Sequence, residues 1–312
     1  MSFVPVISLS PARASQEISD EMRAACLRNG FFQITEFNHI LSSELLSRTL
    51  SASKAFFDLP LDVKSALFKE NHICGGYEPY KAMNLDPGDK SGYGHNEGYS
   101  VASSGYPTAW PAEQILPGFR ATMEEYFTAV NRLAGVVSGY LALGLDLSPD
   151  FFGDFFHGQL AHIKLAHYYR PEHSQGDEGS VGVAPHTDWG AITILLQDSV
   201  GGLEVFDQDS LRWIKVSARP NTLVVNLGDL LARWTNDRYK STRHRVTSPP
   251  QGIHRYSIPF FSQGHPDYVV QVINSCIRPG EVAKYNPIRA EEYFKLKFES
   301  TYSIPALIAR DP

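Results

Sequence analysis

The run PHTDWGAITILLQD occupies residues 185–198 and joins a polar turn to an apolar stretch with three β-branched residues. Its composition and length predict a buried strand over 191–197, preceded by His186 and Asp188. In an extended chain, side chains two residues apart point to the same face, so this imidazole and this carboxylate can meet at one point. The pair predicts one edge of a metal site, although a His-x-Asp taken alone more often forms a solvated pair.

Outward from this run, the chain keeps a period of two from Leu160 onward. Short apolar stretches alternate with Gly, Pro, Asp and Asn turns, a pattern typical of an antiparallel barrel or jelly roll. We therefore expect an α+β fold whose core is a double-stranded β-helix, a cupin-like jelly roll flanked by helices. The predicted strands of this core are 160–169, 191–197, 203–206, 211–216, 222–227, 255–262 and 268–272.

Helical periods precede the predicted core. Apolar residues at helical spacing predict helices over 15–28 and 42–58 and, most strongly, a long scaffold helix over 119–144. Residues 71–110 differ in composition from the flanking segments, because they contain seven glycines and a run of tyrosines. A segment of this kind is either a lid-like wall of a pocket or a surface excursion with packed tyrosines.

No internal repeat, low-complexity tract or linker divides the 312 residues. We expect residues 1–312 to form a single catalytic unit, since chains of this size often hold one large domain. Within it we predict an N-terminal helical and strand region at 1–110 that contains the lid-like segment 71–110. The scaffold helix at 119–144, a jelly-roll core at 160–275 and a C-terminal segment at 276–312 follow.

The composition of the chain limits the classes of binding partner that we expect. The chain has 28 basic and 34 acidic residues and a formal net charge of −6, so we expect no nucleic-acid or membrane partner and a small-molecule substrate. Cys26, Cys74 and Cys276 form no C-x-x-C pair, which predicts a reducing, cytoplasmic location without a disulfide frame. No leader or bilayer-length apolar stretch is visible, so we expect no export or membrane signal. The oligomeric state stays open.

A second histidine changes the interpretation of the His-x-Asp pair. His244 lies far enough downstream for several antiparallel strands to return to the same end of a barrel. Two imidazoles and one carboxylate leave half of an octahedron open, the arrangement of non-haem Fe(II) oxygenases. Farther along, Arg255 and Ser257 alternate on one strand face, where a guanidinium and a hydroxyl can receive a carboxylate. Alone, such an arginine more often makes a surface salt bridge, but its place after three candidate ligands favours the receptor.

The combined motif resembles the Fe(II)/2-oxoglutarate-dependent dioxygenases of the isopenicillin N synthase-like group. Within that group it is most similar to microbial members such as fungal thymine hydroxylase and to natural-product tailoring oxygenases. The resemblance covers nearly the whole chain. It rests on residues 185–198, GGLEV at 201–205, VVNLGD at 224–229, the segment around His244, RYSI at 255–258, and the N-terminal signals NGFFQI at 29–34 and GY at 76–77.

The resemblance implies that His186, Asp188 and His244 are the catalytic iron ligands. It also implies that Arg255 and Ser257 hold the distal carboxylate of 2-oxoglutarate. The implied cofactors are Fe(II), 2-oxoglutarate as co-substrate and dioxygen.

Several aromatic residues are candidate contacts for 2-oxoglutarate or for the substrate, some of them nominated by the resemblance and others by their position in the sequence. A tyrosine of the strand at 165–169 is expected to touch 2-oxoglutarate, either Tyr168, which shares a strand face with Lys164 and Ala166, or Tyr169. Four aromatic residues are expected to contact the substrate: Trp189, Tyr99, Phe261 and Tyr93. Phe260 is a second choice in place of Phe261.

Other polar residues near these motifs have less specific roles. Glu97 belongs to a Glu-x-Tyr that resembles a strand beside the family's active site, but an exposed acid at a loop end fits equally. We expect His167 to be a satisfied barrel histidine. Asn226 and Asp229 are expected to organise the turn before His244.

The resemblance implies an oxidoreductase. It would couple the oxidative decarboxylation of 2-oxoglutarate, to succinate and carbon dioxide, to oxidation of a small organic metabolite, with natural-product biosynthesis as one setting. Hydroxylation is the default outcome, and desaturation or ring rearrangement begins from the same hydrogen abstraction. Two alternatives stay open: a 2-oxoglutarate-independent oxidase of the same family, and a zinc-dependent cupin-like hydrolase with the same three ligands.

Overall fold

The computed structural model describes residues 2–68, 75–80, 95–103, 105–170 and 181–301. Tyr93 and most of the lid-like segment 71–110 lie outside the described residues, so the lid stays a prediction. Among the described helices, none combines the length and the apolar character that a bilayer crossing requires.

Two β-sheets form the core of the described chain. Side chains of both sheets meet in one buried apolar cluster that includes Phe31, Leu195 and Leu203. The strands are β1 (Val6–Ser8), β2 (Phe31–Thr35), β3 (Gly76–Glu78), β4 (Asn96–Ala102), β5 (Leu160–Tyr168), β6 (Val181–His186), β7 (Ile192–Gln197), β8 (Leu203–Asp207), β9 (Arg212–Lys215), β10 (Leu223–Leu227), β11 (His244–Thr247), β12 (Arg255–Gly264), β13 (Val269–Val270) and β14 (Ile288–Arg289).

The strand order confirms the predicted jelly roll. The large sheet runs β1-β2-β10-β7-β12-β5-β4-β3, and the small sheet runs β6-β11-β8-β9. Strands from β5 to β12 are shared between the two sheets, and within each sheet they pair antiparallel, as in a double-stranded β-helix. The N-terminal strand β2 joins the large sheet beside β10, with Ile34 opposite Leu223.

Helices cover the outer face of the large sheet. The long scaffold helix is present, and Phe127 on it packs edge to face against Phe260 of β12 with ring centroids 5.7 Å apart. The second helix begins at the N-cap Ser42, whose hydroxyl accepts the Leu45 N–H at 3.1 Å. The described helices are α1 (Ser15–Arg28), α2 (Ser43–Phe57), α3 (Leu61–Ser65), α4 (Phe119–Leu143), α5 (Gly153–Phe156), α6 (Asp229–Trp234) and α7 (Ala290–Thr301).

The alternation of β12 decides which residues reach the space between the sheets. Arg255, Ser257 and Phe261 face that space, whereas Tyr256 and Phe260 pack on the opposite side with the helices. Because the period is two, each inward residue is followed by an outward one. The same rule applies to β5, which pairs with β12, and to β4, which pairs with β5.

Candidate active site

A cavity of about 130 Å³ lies between the two sheets. Its walls come from β4, β5, β7, β10 and β12 of the large sheet and from β6, β8 and β11 of the small one. The predicted site residues that line it are His186, Asp188, His244, Arg255, Ser257, Tyr168 and Phe261.

Three candidate metal ligands converge in this cavity. His186 ends β6, Asp188 follows in the turn, and His244 begins β11, where it pairs directly with His186. One donor atom from each residue lies within 4.8 Å of the others. The Asp188 Oδ1 atom is 3.6 Å from the Nε2 atom of each imidazole. The register of two strands therefore brings together ligands that are far apart in sequence.

Backbone contacts orient both imidazoles. The Nδ1 atom of His186 lies 2.8 Å from the Ala184 carbonyl oxygen, and the Nδ1 atom of His244 lies 3.1 Å from the Thr242 carbonyl oxygen. A carbonyl only accepts, so each Nδ1 carries the proton and each Nε2 presents its lone pair. Both lone pairs are therefore available to a metal.

The two oxygens of the Asp188 carboxylate have different surroundings, because one is hydrogen-bonded to the protein and the other faces the cavity. Its Oδ2 atom accepts the Thr193 hydroxyl at 2.5 Å and the Asn226 amide at 2.7 Å. Thr193 and Asn226 are paired neighbours on β7 and β10, so the sheet itself fixes this cradle. The Oδ1 atom is the one that faces the imidazoles, which makes it the third metal donor.

The protonation states suit a metal cation. Burial raises the pKa of Asp188, but the neighbouring His244 and His186 and the Asn226 hydrogen bond outweigh it and hold that pKa well below its usual range. Burial and the nearby His186 ring lower the pKa of His244 to about 4, against the opposing effect of Asp188. An ionised Asp188 carboxylate and a neutral His244 imidazole are donors that suit Fe(II).

Arg255 of β12 is buried on the large-sheet wall of the cavity, with 1% of its surface exposed. Its guanidinium donates to the Gly201 carbonyl oxygen, to the Ser257 hydroxyl at 3.2 Å and to Gln197 Oε1 at 3.2 Å. Those contacts use three of the five N–H donors of an arginine. Among the described residues no carboxylate pairs with it. By contrast, Lys164 on the same wall is paired with an acid, Glu78, at 2.5 Å.

The two candidate tyrosines, Tyr168 at the end of β5 and Tyr169 directly after it, point to opposite faces. Tyr168 lines the cavity, and its ring centroid lies 4.7 Å from the Arg255 Cζ atom. Tyr169 stacks instead on His167 and His254 behind the sheet. The alternation of the strand thus favours Tyr168 as the residue that can reach a ligand of Arg255.

The predicted substrate residues separate in the same way. Phe261 lines the cavity, whereas Phe260 is buried on the helix side. Tyr99 corrects the expectation for it: fully buried on β4, it packs against Phe56, and its hydroxyl donates to the Ala109 carbonyl oxygen at 2.7 Å. It lies on the outward face because the cavity-lining residue of β4 is Asn96, an odd number of residues away.

Trp189 is also not among the described residues that line the cavity. It is half-buried in the turn after Asp188, and its carbonyl oxygen accepts the Leu230 N–H at 3.3 Å. The turn is thus held against α6 rather than directed along a strand. Tyr93 lies outside the described residues.

Glu97 is a buried acid rather than an exposed loop residue, with 3% of its surface accessible. It accepts from Lys64 Nζ at 2.9 Å and from the Tyr77 hydroxyl at 2.6 Å, and its Oε1 atom lies 2.8 Å from His167 Nδ1. Burial raises the pKa of Glu97, but the bonds from His167, Tyr77 and Lys64 outweigh it and lower that pKa. This network lies on the outer face of β4 and β5, behind the strand segments that carry Asn96 and Tyr168.

Sequence reasoning missed Gln197 and Thr193, and it expected Asn226 to organise the turn before His244. The structure instead gives Asn226 a direct bond to the candidate metal ligand Asp188. The signal was present in the alternation, because Thr193 and Asn226 are inward positions of neighbouring strands. The pairing of those strands, which the sequence does not state, was needed to see it.

Comparison with known proteins agrees with this geometry. Residues 161–264 match the 2OG-Fe(II) oxygenase superfamily, and residues 4–113 match the family described as non-haem dioxygenase in morphine synthesis N-terminal. A relative, the 2-oxoglutarate-Fe(II) type oxidoreductase hxnY of Emericella nidulans, is 37% identical, with 96% of this chain and 90% of the relative covered.

Solved structures show the same kinship. Full-length Neurospora crassa thymine hydroxylase in complex with alpha-KG and thymine superposes with a TM-score of 0.85 and 28% identity over 96% of this chain and 97% of that one. The dioxygenase for auxin oxidation in rice superposes with a TM-score of 0.75 and 26% identity, with 95% of each chain covered. The chain therefore belongs to the 2OG-Fe(II) oxygenase superfamily, and it is a 2-oxoglutarate/Fe(II)-dependent dioxygenase that oxidises a small organic molecule.

Proposed function

We propose that His186, Asp188 and His244 bind Fe(II) through the two Nε2 atoms and Oδ1. When bound there, the metal supplies redox chemistry with dioxygen at the ligand positions that the protein leaves open. The chain contributes the geometry. The Ala184 and Thr242 carbonyl oxygens hold the imidazole tautomers, and Thr193 and Asn226 hold the carboxylate on the side away from the metal.

The buried charge of Arg255 carries the assignment of the co-substrate. An arginine that is almost fully buried needs an anionic or strongly accepting partner, because an uncompensated buried charge costs several kcal/mol, on the order of the desolvation penalty of an ion. Among the described residues its contacts are with neutral oxygens. We infer that the missing anion is the distal carboxylate of 2-oxoglutarate.

The neighbours of Arg255 suit a planar carboxylate. Two N–H donors of the guanidinium stay available beyond the three that the protein uses. The Ser257 oxygen accepts from Arg255, so its own proton is free to be donated to a ligand oxygen. The Tyr168 hydroxyl adds a further donor from β5, the neighbouring strand of the same sheet. A fork of parallel N–H bonds with hydroxyls at its sides is a receptor for two carboxylate oxygens.

The wall beside the metal indicates the class of primary substrate. Phe261, Pro259 and Leu195 line this part of the cavity and offer apolar surface. We propose a small or medium-sized, flat or apolar organic metabolite, with Phe261 as a contact and natural-product biosynthesis as one setting. The thymine bound by the Neurospora enzyme and the auxin oxidised by the rice enzyme are flat ring compounds of this size. Hydroxylation is the proposed outcome.

We further propose that the whole chain acts as one catalytic unit in the cytoplasm. The cavity draws its walls from strands on both sides of the scaffold helix α4, since β4 precedes α4 and β5 to β12 follow it. The reducing compartment rests on the free, buried thiols of Cys26 and Cys276.

An anaerobic titration tests the metal and co-substrate assignments together. The chain is loaded with Fe(II) and then titrated with 2-oxoglutarate, and the visible charge-transfer band of the chelate is recorded. We expect the band for the wild type, no band for His244→Ala, and a band only at much higher 2-oxoglutarate for Arg255→Ala. A band that persists unchanged in both variants would overturn the site.

A turnover assay separates the remaining alternatives. Metabolite pools are screened for compounds whose loss is coupled to succinate formation and dioxygen uptake. Succinate in step with product supports the proposal. Product without succinate would point to the 2-oxoglutarate-independent oxidase, and turnover with Zn(II) in the absence of dioxygen would point to a hydrolase.

A further inference from the structure

We infer that the C-terminal helix α7 helps to position the metal ligands, with Lys297 acting through Asp229. The inference rests on the proposed metal site and adds to it a pair of positioning residues, one of which lies more than fifty positions beyond the last candidate ligand in the sequence.

Asp229, the first residue of α6, ties together the two chain segments that carry the ligands. Its Oδ2 atom accepts the hydroxyl of Thr187, the residue between His186 and Asp188, at 3.2 Å. Its Oδ1 atom accepts the hydroxyl of Ser241, shortly before His244, at 2.7 Å. The Asp229 carboxylate is thus hydrogen-bonded to the segment next to His186 and to the segment that precedes His244.

The backbone adds a third tie. The Asp229 N–H donates to the Asp188 carbonyl oxygen at 2.8 Å. At the preceding position, a Cβ on Gly228 would lie 2.8 Å from that same oxygen and 2.2 Å from the Gly190 carbonyl oxygen, too close for a side chain. The metal loop and the start of α6 are therefore packed in backbone contact, and a shift of Asp229 would be transmitted to Asp188.

Helix α7 supplies the charge that balances Asp229. Lys297 Nζ donates to Oδ2 at 2.7 Å, and the Tyr293 hydroxyl lies 3.4 Å from the same atom. These two residues are four apart and share one face of the helix. The pair is partly buried, with 17% of the Asp229 side chain and 32% of the Lys297 side chain exposed. Lys297 is thus the cation that holds this carboxylate in place.

The acceptor capacity of Asp229 explains why the cation matters. A carboxylate has about four lone-pair sites. The Oδ2 atom accepts from Thr187, Tyr293 and Lys297, and the Oδ1 atom accepts from Ser241. Without Lys297, the partly buried carboxylate would lose the cation paired with it. Turning toward water would break its bonds to the two hydroxyls. We therefore expect Lys297 to affect metal binding although it contacts no ligand.

Lys297→Met is the principal test. Metal binding is measured without turnover, by titrating the metal-free full chain with Co(II) and recording both the dissociation constant and the visible bands, which report the ligand geometry. We expect about threefold to tenfold weaker Co(II) binding and altered bands, at or below the usual range for groups that hold a ligand. Lys297→Arg should restore both, because it keeps the charge.

Lys295→Met serves as the matched control. Lys295 is exposed on the same helix, so its removal tests for a general effect of lost charge or lost helix stability. Circular dichroism and thermal unfolding are recorded for every variant. We expect wild-type Co(II) binding and bands for Lys295→Met.

Asp229→Asn shows whether Lys297 acts through Asp229. The amide is neutral, so it needs no cation, but it accepts through only one of its two polar atoms. We expect it to weaken Co(II) binding by about tenfold, and adding Lys297→Met should weaken it no further. If the two effects multiply, Lys297 acts elsewhere and the inference is overturned. Should Lys297→Met fold poorly, Asp229→Asn with wild-type Co(II) binding would overturn it as well.

The outcomes distinguish this inference from the proposed function. The metal site itself would be contradicted if the wild-type chain bound no Co(II), or if the His244→Ala variant bound Co(II) as tightly as the wild type. Wild-type binding that is lost in His244→Ala but unchanged in Lys297→Met would contradict only the role of α7.

Discussion

Tyr168 lies directly opposite Arg255 in the β5–β12 pairing, with its ring under the guanidinium. A cation over an aromatic face is stabilised by up to about 2 kcal/mol when both are desolvated. Asn96 of β4 is the next residue in this cross-strand row, and its amide donates to the Gly182 carbonyl oxygen at 2.8 Å. Three strands of the large sheet and one of the small sheet therefore meet at the end of the cavity that holds Arg255.

Tyr168→Phe should keep the ring under Arg255 and remove only the hydroxyl. We expect the KM for 2-oxoglutarate to rise about tenfold, as for one lost hydrogen bond to a charged group, with a smaller effect on the primary substrate. Tyr169→Phe is the matched control and should leave that KM unchanged. The opposite pattern would mean that Tyr169 is the co-substrate residue.

Arg255→Lys tests the shape of the receptor rather than its charge. A lysine keeps the cation but cannot present two parallel N–H donors or replace all three contacts to the protein. We expect a rise of roughly tenfold to a hundredfold in the 2-oxoglutarate concentration needed for half-maximal turnover. Arg120→Lys, at an exposed helix ion pair, should have no effect. A rise confined to the primary substrate would favour the 2-oxoglutarate-independent alternative.

Thr193→Val removes one of the two donors that hold Asp188 and keeps the shape of the side chain. We expect Fe(II) to bind about tenfold or more weakly, with little change in KM for 2-oxoglutarate. Equilibrium dialysis under anaerobic conditions measures the affinity. Thr128→Val, on an exposed face of α4, is the control. Unchanged affinity in Thr193→Val would show that Asn226 alone suffices.

Phe260 and Phe261 are neighbours with opposite expected effects. Phe260→Ala should lower the free energy of unfolding by about 3 to 5 kcal/mol, because it opens a hole against α4. Phe261→Ala should cost far less stability and should change KM and product distribution for the primary substrate. Urea unfolding and product analysis of the two variants test this. A large loss of stability in Phe261→Ala would make it a core residue.

Glu97→Gln should destabilise the protein in a pH-dependent way. Because the folded pKa of Glu97 lies below its ordinary value of 4.5, its charge stabilises the fold above that pH and the contribution is lost as the pH falls below it. We expect the variant to be less stable by about 3 kcal/mol at pH 7, since Lys64 stays buried without its partner. The difference should shrink in acid. The exposed Glu292→Gln should show no such trend.

Much of the site was predictable because it depends on the two-residue period of a strand. Arg255 and Ser257 needed only that period to be placed on a common face. His186 and Asp188 were also predicted to meet, although β6 ends at His186 and Asp188 lies in the turn that follows. The jelly roll followed from many short strands with turns between them. The same period explains why Tyr168 and Phe261 reach the cavity and their neighbours do not.

The rest depends on which segments pair, and that information is spread over the whole chain. Strand β4 was hidden in a glycine- and tyrosine-rich stretch that predicts no regular structure. The bonds of Glu97 come from Lys64, Tyr77 and His167, and no spacing in the sequence connects them. The same is true of Lys297 and Asp229. Buried polar networks of this kind become visible only when the topology is known.

The place of β2 beside β10 has a consequence for synthesis of the chain. The hydroxyl of Thr222 reaches the side chain of Gln33 across 189 positions of sequence. The apolar run FFQIT leaves the ribosome with its partner strand still untranslated, and at about 5 to 20 residues per second the wait is roughly 10 to 40 s. During that interval the unpaired edge of β2 is exposed and can pair with other nascent chains. Chaperone supply should therefore influence the yield of the enzyme in a heterologous host, and a slower codon choice before residue 223 should lower it.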